Sequence, residues 1–450
     1  MCGFLFTSYK LNDEEIKASE EKVTLRGPDL KNIERKWGCT YVHYLLHITG
    51  EKTKQPITSE EENTLLYNGE IYNFLELGQF KSDGYAVLSA YESEGLDGIR
   101  QLDGEFSGVI HDAKKNKLII FRDAFGTKPI HFSRNEKGII VCSYFSQAKE
   151  LGFKEVYCPS PNSILEIDIE TCQVKQYSYK NFDLRQHKNS YDDWYFAFRN
   201  AIKKRTDNQR VKYFIGLSSG YDSGLISAVL NDINVEFNSY SIQAAEDIRT
   251  IKERAKILKH NEYFHLSEEE YQRQRDFLIK NCEPYESPRR STRPNGYSVL
   301  KDKGAIGTGI ICEKAVNAGC KVYISGQGSD EIISDYGHAG RMAPGFLHST
   351  IAGFFPSDLK DVFPWENFFE GTQREFIAKD ENVGGTYGIE TRYPFLDPNV
   401  VQEFLWLDHR LKNASYKAPI EYSLNLLNYP IAPDGLTGKV GFRANSNFRR

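Results

Sequence analysis

Several absences narrow the function of this chain before any motif is considered. No run of apolar residues reaches the length of a membrane span, which argues against a bilayer-crossing helix. The net charge of −5 gives no basic footprint, so the sequence does not predict a DNA or RNA partner. The first residues turn acidic without a basic stretch, so we expect no secretory leader.

Cysteine is present, but not in the patterns that bind metals or build a disulfide framework. The 8 cysteines are scattered and include no CxxC pair. In a chain of this length without a leader they predict reduced thiols and a cytoplasmic protein. Most are expected to be small apolar core residues, and Cys2, which lies between Met1 and Gly3, is the exception.

What is present is enough apolar material for more than one domain. The 450 residues exceed what one ordinary core covers, and the hydrophobic fraction of 40% argues against disorder. Up to about residue 180, short apolar segments such as 117–123, 138–145 and 163–169 alternate with polar turns, and a helical stretch lies at 85–95. This pattern predicts layered α+β packing.

A different pattern begins near residue 190. An amphipathic helix is expected at 191–206, and apolar strands ending at Leu217, Ile242 and Gly326 follow it. The repetition of strand, loop and helix predicts a parallel, doubly wound α/β sheet. We therefore predict a first domain over residues 1–182 and a second domain over residues 190–450, and the second ends in helices.

Cys2 has the chemistry of an N-terminal nucleophile. Methionine is generally removed before a small residue, which would make Cys2 the mature N-terminus. Its thiol could then attack a substrate while its own α-amine takes the proton, and both groups titrate at about 8 to 8.5. Many proteins begin with Met-Cys, so this pair alone does not predict catalysis.

Four motifs give Cys2 its context. They are LRGPD at 25–29, NGEIYN at 68–73, LDGEF at 102–106 and RDAFGTKP at 122–129. In this order they resemble the class II glutamine amidotransferase domain, an N-terminal-nucleophile αββα sandwich. The resemblance implies that Cys2 forms a thioester with glutamine. It implies that Asn68 and Gly69 form the oxyanion hole. It also implies that Glu70 and Asp83 hold the α-ammonium group of the substrate.

One position departs from that family. The family places an arginine here to pair with the α-carboxylate of glutamine, and the position falls on Leu45, or on Tyr44 if the gap is placed differently. Such a charge-assisted pair contributes roughly 1.5–3 kcal/mol, so we expect weak glutamine binding or a different amide donor. The side chains that could substitute are His43, His47 and Arg26.

The predicted second domain contains a loop suited to phosphate. Residues 217–223 read LSSGYDS, directly after a strand and before a helix. Small residues let backbone N–H groups and the helix N-terminus surround an anion, although the loop lacks the GK[ST] of a Walker motif. It resembles the pyrophosphate loop SGGxDS of ATP pyrophosphatases, with Ser219 in place of a glycine.

Three later motifs extend the resemblance over almost the entire chain. SGQGSDE at 325–331, GIETRYPFLD at 388–397 and TGKVGF at 437–442 resemble those of glutamine-hydrolysing asparagine synthetases. The resemblance implies ATP, Mg²⁺, glutamine and a carboxylate acceptor, most simply aspartate. The residues that it implies for ATP are Leu217, Ser218, Ser219, Gly220, Asp222, Ser223, Ile242, Ser325 and Gly326.

The same resemblance assigns the metal and the leaving group. Asp222 and Asp330 correspond to magnesium ligands, which as carboxylates are the hard oxygen donors that a phosphate-bound cation prefers. Lys439 corresponds to the residue that stabilises negative charge on the departing pyrophosphate.

The acceptor site, to which Gln327 and Asp330 are assigned, also departs from the family. Asparagine synthetases carry Glu where this chain has Gln327, and an amide cannot act as a base. β-Lactam synthetases change the same position to Tyr.

Three functions therefore stay open. The leading one is a glutamine-dependent asparagine synthetase. The second is an amidotransferase for another carboxylate, such as a sugar acid, a peptide or a specialised metabolite, which Gln327 and the unfamiliar stretch 286–304 favour. The third is a non-catalytic binding or regulatory descendant, which the loss of the arginine allows. No nucleic acid or membrane partner is expected, and a homodimer is implied only by the family.

Overall fold

The protein is described by a computed structural model over residues 1–208, 210–243, 247–285, 302–343 and 348–433. It divides into two compact units. Unit 1 contains Met1–Asn181 together with Asn281–Glu283 and Gly384–Glu390, and unit 2 contains the rest. Over the residues so described, no helix combines the length and the apolar character that crossing a membrane requires.

Unit 1 is built from two antiparallel sheets and six helices. Its strands are β1 (Gly3–Thr7), β2 (Leu30–Lys36), β3 (Cys39–Leu45), β4 (Ile57–Thr58), β5 (Asn63–Ile71), β6 (Gly104–Asp112), β7 (Lys117–Arg122), β8 (His131–Asn135), β9 (Gly138–Cys142), β10 (Ser163–Asp168) and β11 (Val174–Ser178). Its helices are α1 (Asp13–Ser19), α2 (Val23–Arg26), α3 (Phe74–Leu77), α4 (Asp83–Glu94), α5 (Leu96–Arg100) and α6 (Phe145–Glu150). One sheet has the order β2-β3-β1-β9-β8, and the other has the order β11-β10-β7-β6-β5-β4.

The two sheets of unit 1 face each other across a core. Because side chains alternate along a strand, Phe4 and Phe6 of β1 pack with Leu66 of the second sheet. Leu5, between them, packs on the opposite face with Ile16 of α1. Helix α4 packs against β5 on the other side of the sandwich. The layers therefore run helix, sheet, sheet, helix, which confirms the αββα architecture.

Unit 2 contains a five-stranded sheet flanked by helices. Its strands are β12 (Lys212–Gly216), β13 (Phe237–Ile242), β14 (Asn261–Phe264), β15 (Cys320–Ile324), β16 (Gly337–His338), β17 (Arg341–Met342) and β18 (Glu390–Arg392), of which Glu390 groups with unit 1. Its helices are α7 (Asp192–Arg205), α8 (Tyr221–Asp232), α9 (Ile248–Ile257), α10 (Glu268–Asn281), α11 (Lys303–Asn317), α12 (Glu366–Phe369), α13 (Thr372–Thr386), α14 (Pro398–Trp406), α15 (His409–Lys412) and α16 (Ala418–Leu426), of which the ends of α10 and α13 group with unit 1.

The main sheet of unit 2 has the order β14-β13-β12-β15-β18. Strand β12 pairs in parallel with both β13 and β15, and β13 pairs in parallel with β14. The chain thus leaves β12 toward one edge and later returns on its other side, which confirms the doubly wound α/β prediction. In such sheets ligands bind outside the carboxyl ends of the strands, at this reversal of strand order.

Candidate functional site

Cys2 lies directly before β1, the central strand of its sheet. Its backbone N–H donates to Asn68 Oδ1 at 2.9 Å, and its Sγ is 3.8 Å from the carbonyl oxygen of Leu46. Burial raises the pKa of the Cys2 thiol to about 11. The thiol is therefore protonated near neutral pH, so an attack by sulfur requires a nearby base.

Asn68 has one half of its side-chain amide engaged and the other half open. Its Oδ1 accepts from Cys2, whereas its buried Nδ2 meets no hydrogen-bond partner in the described part of the chain. Leaving a buried donor unsatisfied costs about 1–3 kcal/mol, and such donors need an explanation. A developing oxyanion on a substrate would satisfy it.

Gly69 follows Asn68 on β5, and only glycine fits there. Its φ is +139°, and a Cβ at this position would lie 2.0 Å from the carbonyl oxygen of Glu105 on the neighbouring strand. The close approach of β6 therefore explains this glycine structurally, independently of any role of its N–H.

Asp83 is joined to both flanks of the Asn68–Glu70 segment. Its Oδ2 accepts from the Tyr67 hydroxyl at 2.8 Å and from the Ile71 N–H at 3.1 Å. Burial raises the pKa of Asp83 to about 6, although these hydrogen bonds oppose the shift. Glu70 is also buried. The residues predicted around Cys2 are therefore brought together by β5 and by the first residue of α4.

The position of the missing arginine lies at the end of β3. Leu45 is buried there, and it contributes only an apolar side chain. The hydroxyl of Tyr44 donates to Glu20 Oε2 at 3.0 Å, which engages the alternative position elsewhere. Neither side chain offers a cation for the carboxylate of an amino acid.

The three side chains that could substitute are all engaged or uncharged. Arg26 Nε donates to the carbonyl oxygen of Cys2 at 2.8 Å, so this arginine is engaged by the backbone of Cys2. Burial lowers the pKa of His43 to about 3, which leaves its ring neutral. His47 Nε2 lies 3.1 Å from the carbonyl oxygen of Gly50.

The motif at 388–397 contributes a further residue that the sequence did not single out. Glu390 Oε2 lies 3.3 Å from the α-amino group of Met1, and both groups are buried. On the other side of Met1, Arg26 Nη2 lies 3.0 Å from its sulfur. Glu390 therefore places a carboxylate beside the start of the chain.

In unit 2, residues 217–220 form the turn from β12 into α8, which we call the phosphate loop. Gly220 is the N-cap of α8 and has no side chain to satisfy the first N–H groups of the helix, so these donors suit an anion. Ser218 Oγ accepts from the Gly220 N–H at 3.1 Å and lies 2.9 Å from Ser223 Oγ. Ser219 Oγ accepts from the Asp247 N–H at 3.3 Å.

A second loop follows β15, the neighbour of β12. A Cβ at Gly326 would lie 3.2 Å from the Cβ of Asp222, so this second loop lies against the first turn of α8. Ser329 Oγ donates to Asp222 Oδ1 at 2.5 Å. Ile242 ends β13, on the other side of β12. The residues predicted for ATP therefore gather at three adjacent strand ends.

Lys417 connects the two predicted magnesium ligands. Its Nζ lies 2.6 Å from Asp222 Oδ1 and 2.8 Å from Asp330 Oδ1, and its side chain is 1% exposed. Burial lowers the pKa of Lys417, but the attraction of both carboxylates outweighs burial and holds the pKa above its ordinary value. Lys439, which the sequence predicted for this region, lies outside the described residues, as do its motif 437–442 and most of the stretch 286–304.

Asp222 and Asp330 are compatible with magnesium bound together with phosphate. Mg²⁺ is commonly held by one or two carboxylates, with the remaining positions filled by phosphate oxygens and water. In the portion of the chain that the structure describes, no three His, Cys, Asp or Glu side chains gather as a metal site of their own. Asp222 and Asp330 would therefore supply two ligands, and phosphate oxygens and water would supply the others.

The predicted acceptor residue Gln327 lies near a buried carboxylate that the sequence did not identify. Asp380 of α13 accepts from Ser325 Oγ at 2.7 Å, and Ser325 Oγ in turn accepts from the Gln327 N–H at 3.3 Å. Burial raises the pKa of Asp380, and the charge of Lys379 together with hydrogen bonds from the Ser325 and Gln327 side chains opposes this only in part. Asp380 therefore places a carboxyl group, which can exchange a proton, near the side-chain amide of Gln327, which cannot.

Comparison with known proteins matches two stretches of the chain to two families. Residues 1–162 match the family described as a glutamine amidotransferase domain, and residues 194–352 match the family described as asparagine synthase. The chain is 26% identical over 451 residues to the putative asparagine synthetase (glutamine-hydrolyzing) 1 of Methanocaldococcus jannaschii, with 90% of this chain and 76% of the relative covered.

The chain is also similar to a second curated relative and to a solved structure. The chain is 27% identical to the probable asparagine synthetase (glutamine-hydrolyzing) of Dictyostelium discoideum, with 91% of this chain and 76% of the relative covered. A solved glutamine phosphoribosylpyrophosphate amidotransferase from B. subtilis overlaps 99% of this chain and 98% of its own, with 11% identity and a TM-score of 0.35.

Proposed function

We propose that the chain is a glutamine-dependent asparagine synthetase, because residues 1–162 match the glutamine amidotransferase family and residues 194–352 match the asparagine synthase family. It would then be an ATP-consuming carbon–nitrogen ligase, and its relatives are named glutamine-hydrolyzing asparagine synthetases. Glutamine, ATP, aspartate and water would give asparagine, glutamate, AMP and pyrophosphate. We assign the glutaminase domain to residues 1–182 and the synthetase domain to residues 190–450.

In the glutaminase domain the bond to break is the side-chain amide of glutamine. After removal of Met1, the Cys2 thiol would pass its proton to the freed α-amine, and its sulfur would attack the amide carbon. The oxyanion would accept hydrogen bonds from Asn68 Nδ2 and the Gly69 N–H. Ammonia leaves as the thioester forms, and water then releases glutamate. Glu70 and Asp83 would hold the α-ammonium group of glutamine.

In the synthetase domain the acceptor carboxylate would attack the α-phosphorus of ATP, and pyrophosphate would leave. The Ser219 N–H of the phosphate loop and the N–H groups of the first turn of α8 would bind the phosphates. Mg²⁺ held by Asp222 and Asp330 would neutralise phosphate charge. Lys417, and Lys439 by the resemblance, would stabilise the negative charge that pyrophosphate carries away. Ammonia then attacks the acyl-adenylate carbon, and AMP leaves.

The observation that supports the proposal most is the convergence of Asp222, Asp330 and Lys417 beside the phosphate loop. A buried lysine that bridges two carboxylates is costly to build, because each charge loses its hydration. A site that must bind and release a polyanion such as ATP, together with its magnesium ion, would explain this cost.

A second candidate function changes only the acceptor. Gln327 is neutral, and its N–H donates to the Ser325 hydroxyl, which in turn donates to the buried carboxyl group of Asp380. An amide at this position, where asparagine synthetases carry Glu, favours an acceptor other than aspartate, such as a sugar acid, a peptide or a specialised metabolite.

Pyrophosphate release separates these candidates. The purified protein is supplied with ATP, Mg²⁺ and ammonium, and then with aspartate or with each member of a panel of other carboxylates. Release that depends on aspartate supports the leading function, and release that depends on another acid supports the second. Absence of release with every acid contradicts both and favours a non-catalytic descendant.

A further inference from the structure

A buried arginine on α9 holds the main chain of the phosphate loop. Arg254 Nη1 donates to the carbonyl oxygens of Ser218 and Gly220, at 2.6 and 2.9 Å. Its Nε and Nη2 donate to the carbonyl oxygen of Pro430, at 3.1 and 2.9 Å. The side chain is 0% exposed. A whole guanidinium is therefore buried against the loop that we assign to ATP.

Gly224 on α8 leaves the space that this guanidinium occupies. A Cβ at Gly224 would lie 2.5 Å from Arg254 Nη2 and 2.7 Å from its Cζ, distances that real Cβ atoms do not show. The ring of Tyr429 lies on the guanidinium as well, with its centroid 5.6 Å from Cζ. Glycine within a helix costs about 1 kcal/mol relative to alanine, so the guanidinium explains a residue that α8 itself would not favour.

Holding two carbonyl groups also orients two N–H groups. A trans peptide is planar, and its C=O and N–H point in opposite directions. When Arg254 holds the Ser218 carbonyl, the N–H of Ser219 points away from the arginine. The Gly220 carbonyl fixes the N–H of Tyr221 in the same way. Without such restraint, a loop of small residues would lose conformational freedom on binding an anion.

We propose that Arg254 is a positioning residue of the ATP site. It sets the phosphate loop so that the N–H groups of Ser219 and Tyr221 are already directed at phosphate, and it acts from behind the loop without touching the nucleotide. Gly224 contributes to this positioning, because its lack of a side chain leaves the space that the Arg254 guanidinium occupies. This inference rests on the proposed function, because it takes the phosphate loop to be the ATP site.

The test compares three variants with a matched control. Arg254→Met removes the donors, Arg254→Lys keeps a charge with fewer donors in fixed geometry, and Gly224→Ala displaces the guanidinium while Arg254 stays in the chain. Lys256→Met removes an exposed cation from the same helix. ATP affinity is measured by calorimetry, KM for ATP and kcat by pyrophosphate release, and folding by thermal unfolding.

Arg254→Met should raise the Kd and the KM for ATP roughly 10- to 100-fold, with a smaller change in kcat, because charge-assisted hydrogen bonds are lost. Arg254→Lys should fall between the parent and Arg254→Met. Gly224→Ala should weaken ATP binding even though alanine favours the helix, and Lys256→Met should behave like the parent. Glutamine hydrolysis should be unchanged in all four.

The inference is overturned if folded Arg254→Met and Gly224→Ala bind ATP as tightly as the parent, or if Lys256→Met weakens binding equally. If Arg254→Met does not fold, the ATP affinity of Gly224→Ala decides. A parent protein that binds no ATP overturns the proposed function and this inference with it. A parent that binds ATP while the variants match it overturns the inference alone.

Discussion

The site around Cys2 and the site around the phosphate loop handle buried charge in opposite ways. At the first site, burial dominates the carboxyl group of Asp83 and raises its pKa to about 6. At the second site, Asp222 and Asp330 share the buried ammonium of Lys417. The first arrangement favours a ligand that brings a positive charge, whereas the second combines two carboxylates with one buried cation and would suit a polyanion that arrives with its own metal cation.

This difference also indicates how each half would select its substrate. Under the proposed function, glutamine would bring an α-ammonium group that Asp83 could pair with, but its α-carboxylate would meet Leu45 where the family has an arginine. ATP would meet the start of α8, which has no side-chain cap, and the cation of Lys417. We therefore expect nucleotide binding to be the stronger of the two, and the variants below test each side of the contrast.

The largest effect is expected for Cys2→Ala, which separates the two sites. Glutamine hydrolysis should fall by roughly a thousandfold or more because the nucleophile is gone. Pyrophosphate release driven by added ammonium should remain near the parent value. Cys39→Ala is the matched control, since Cys39 is also buried in unit 1 but lies in its core. Equal glutaminase activity in Cys2→Ala and the parent would eliminate the thioester mechanism.

Lys417→Met should cause the next largest effect, and at the other site. Pyrophosphate release should fall roughly 10²- to 10³-fold, because a preorganised charge beside the leaving group is lost. The free energy of unfolding should also drop by about 3–5 kcal/mol, since two buried carboxylates lose their partner. Both are measured on the same preparation, by a coupled pyrophosphate assay and by urea unfolding.

The control for this variant is a second buried lysine. Lys412 Nζ donates to Gln186 Oε1 and to the carbonyl oxygen of Leu405, at 2.7 and 3.0 Å, and burial lowers the pKa of Lys412 to about 7. Lys412→Met should reduce stability and leave the KM for ATP unchanged. If both variants lose pyrophosphate release to the same extent, Lys417 has only a structural role.

A gain of function is expected from Leu45→Arg. Restoring a guanidinium where the family carries one should lower the KM for glutamine roughly 10- to 100-fold, because a charge-assisted pair is added. Leu45→Met, which keeps the volume and the apolar character, should leave the KM unchanged. An unaltered KM in a folded Leu45→Arg protein would mean that the carboxylate is held elsewhere, or that glutamine is not the nitrogen donor.

The sequence predicts the candidate site best where its residues lie within one stretch of chain. Strand β13 ends at Ile242, as predicted, and helix α7 is within one residue of the prediction at each end. Asn68, Gly69 and Glu70 are consecutive on β5, so finding one finds the others. Asp83 is joined to them through neighbours only a few residues away.

Residues that reach a site from a distant segment could not be predicted in this way. Lys417 is 195 residues from Asp222 and stands in no motif. Arg254 looks like any cation on an amphipathic helix, and only the packing of α9 against the phosphate loop gives it a role. Their placement depends on tertiary contacts, which a single sequence does not contain.

The smallest effect concerns the pH dependence of the Cys2 site. With a pKa of about 6, Asp83 is ionised at neutral pH and can pair with the α-ammonium group of glutamine. Below about pH 6 it takes up a proton and loses that attraction, so kcat/KM for glutamine should fall about tenfold per pH unit. Asp83→Asn should show a low, flat profile over the same range, and a parent profile that is flat between about pH 5 and 7 would contradict the assignment.

The raised pKa of Asp83 also predicts that the parent protein loses stability relative to Asp83→Asn as the pH rises. Asp83 has a higher pKa in the folded chain, about 6, than the roughly 3.9 of an unfolded aspartate, so the folded state binds the proton more tightly. Its contribution to stability is complete below about pH 4 and is lost as the pH rises through about 6. Asn cannot ionise, so Asp83→Asn should gain about 1–3 kcal/mol on the parent between about pH 4 and pH 8. Urea unfolding at both pH values measures this difference. If the free energies of unfolding of the two proteins change equally between the two pH values, burial does not raise the pKa of Asp83.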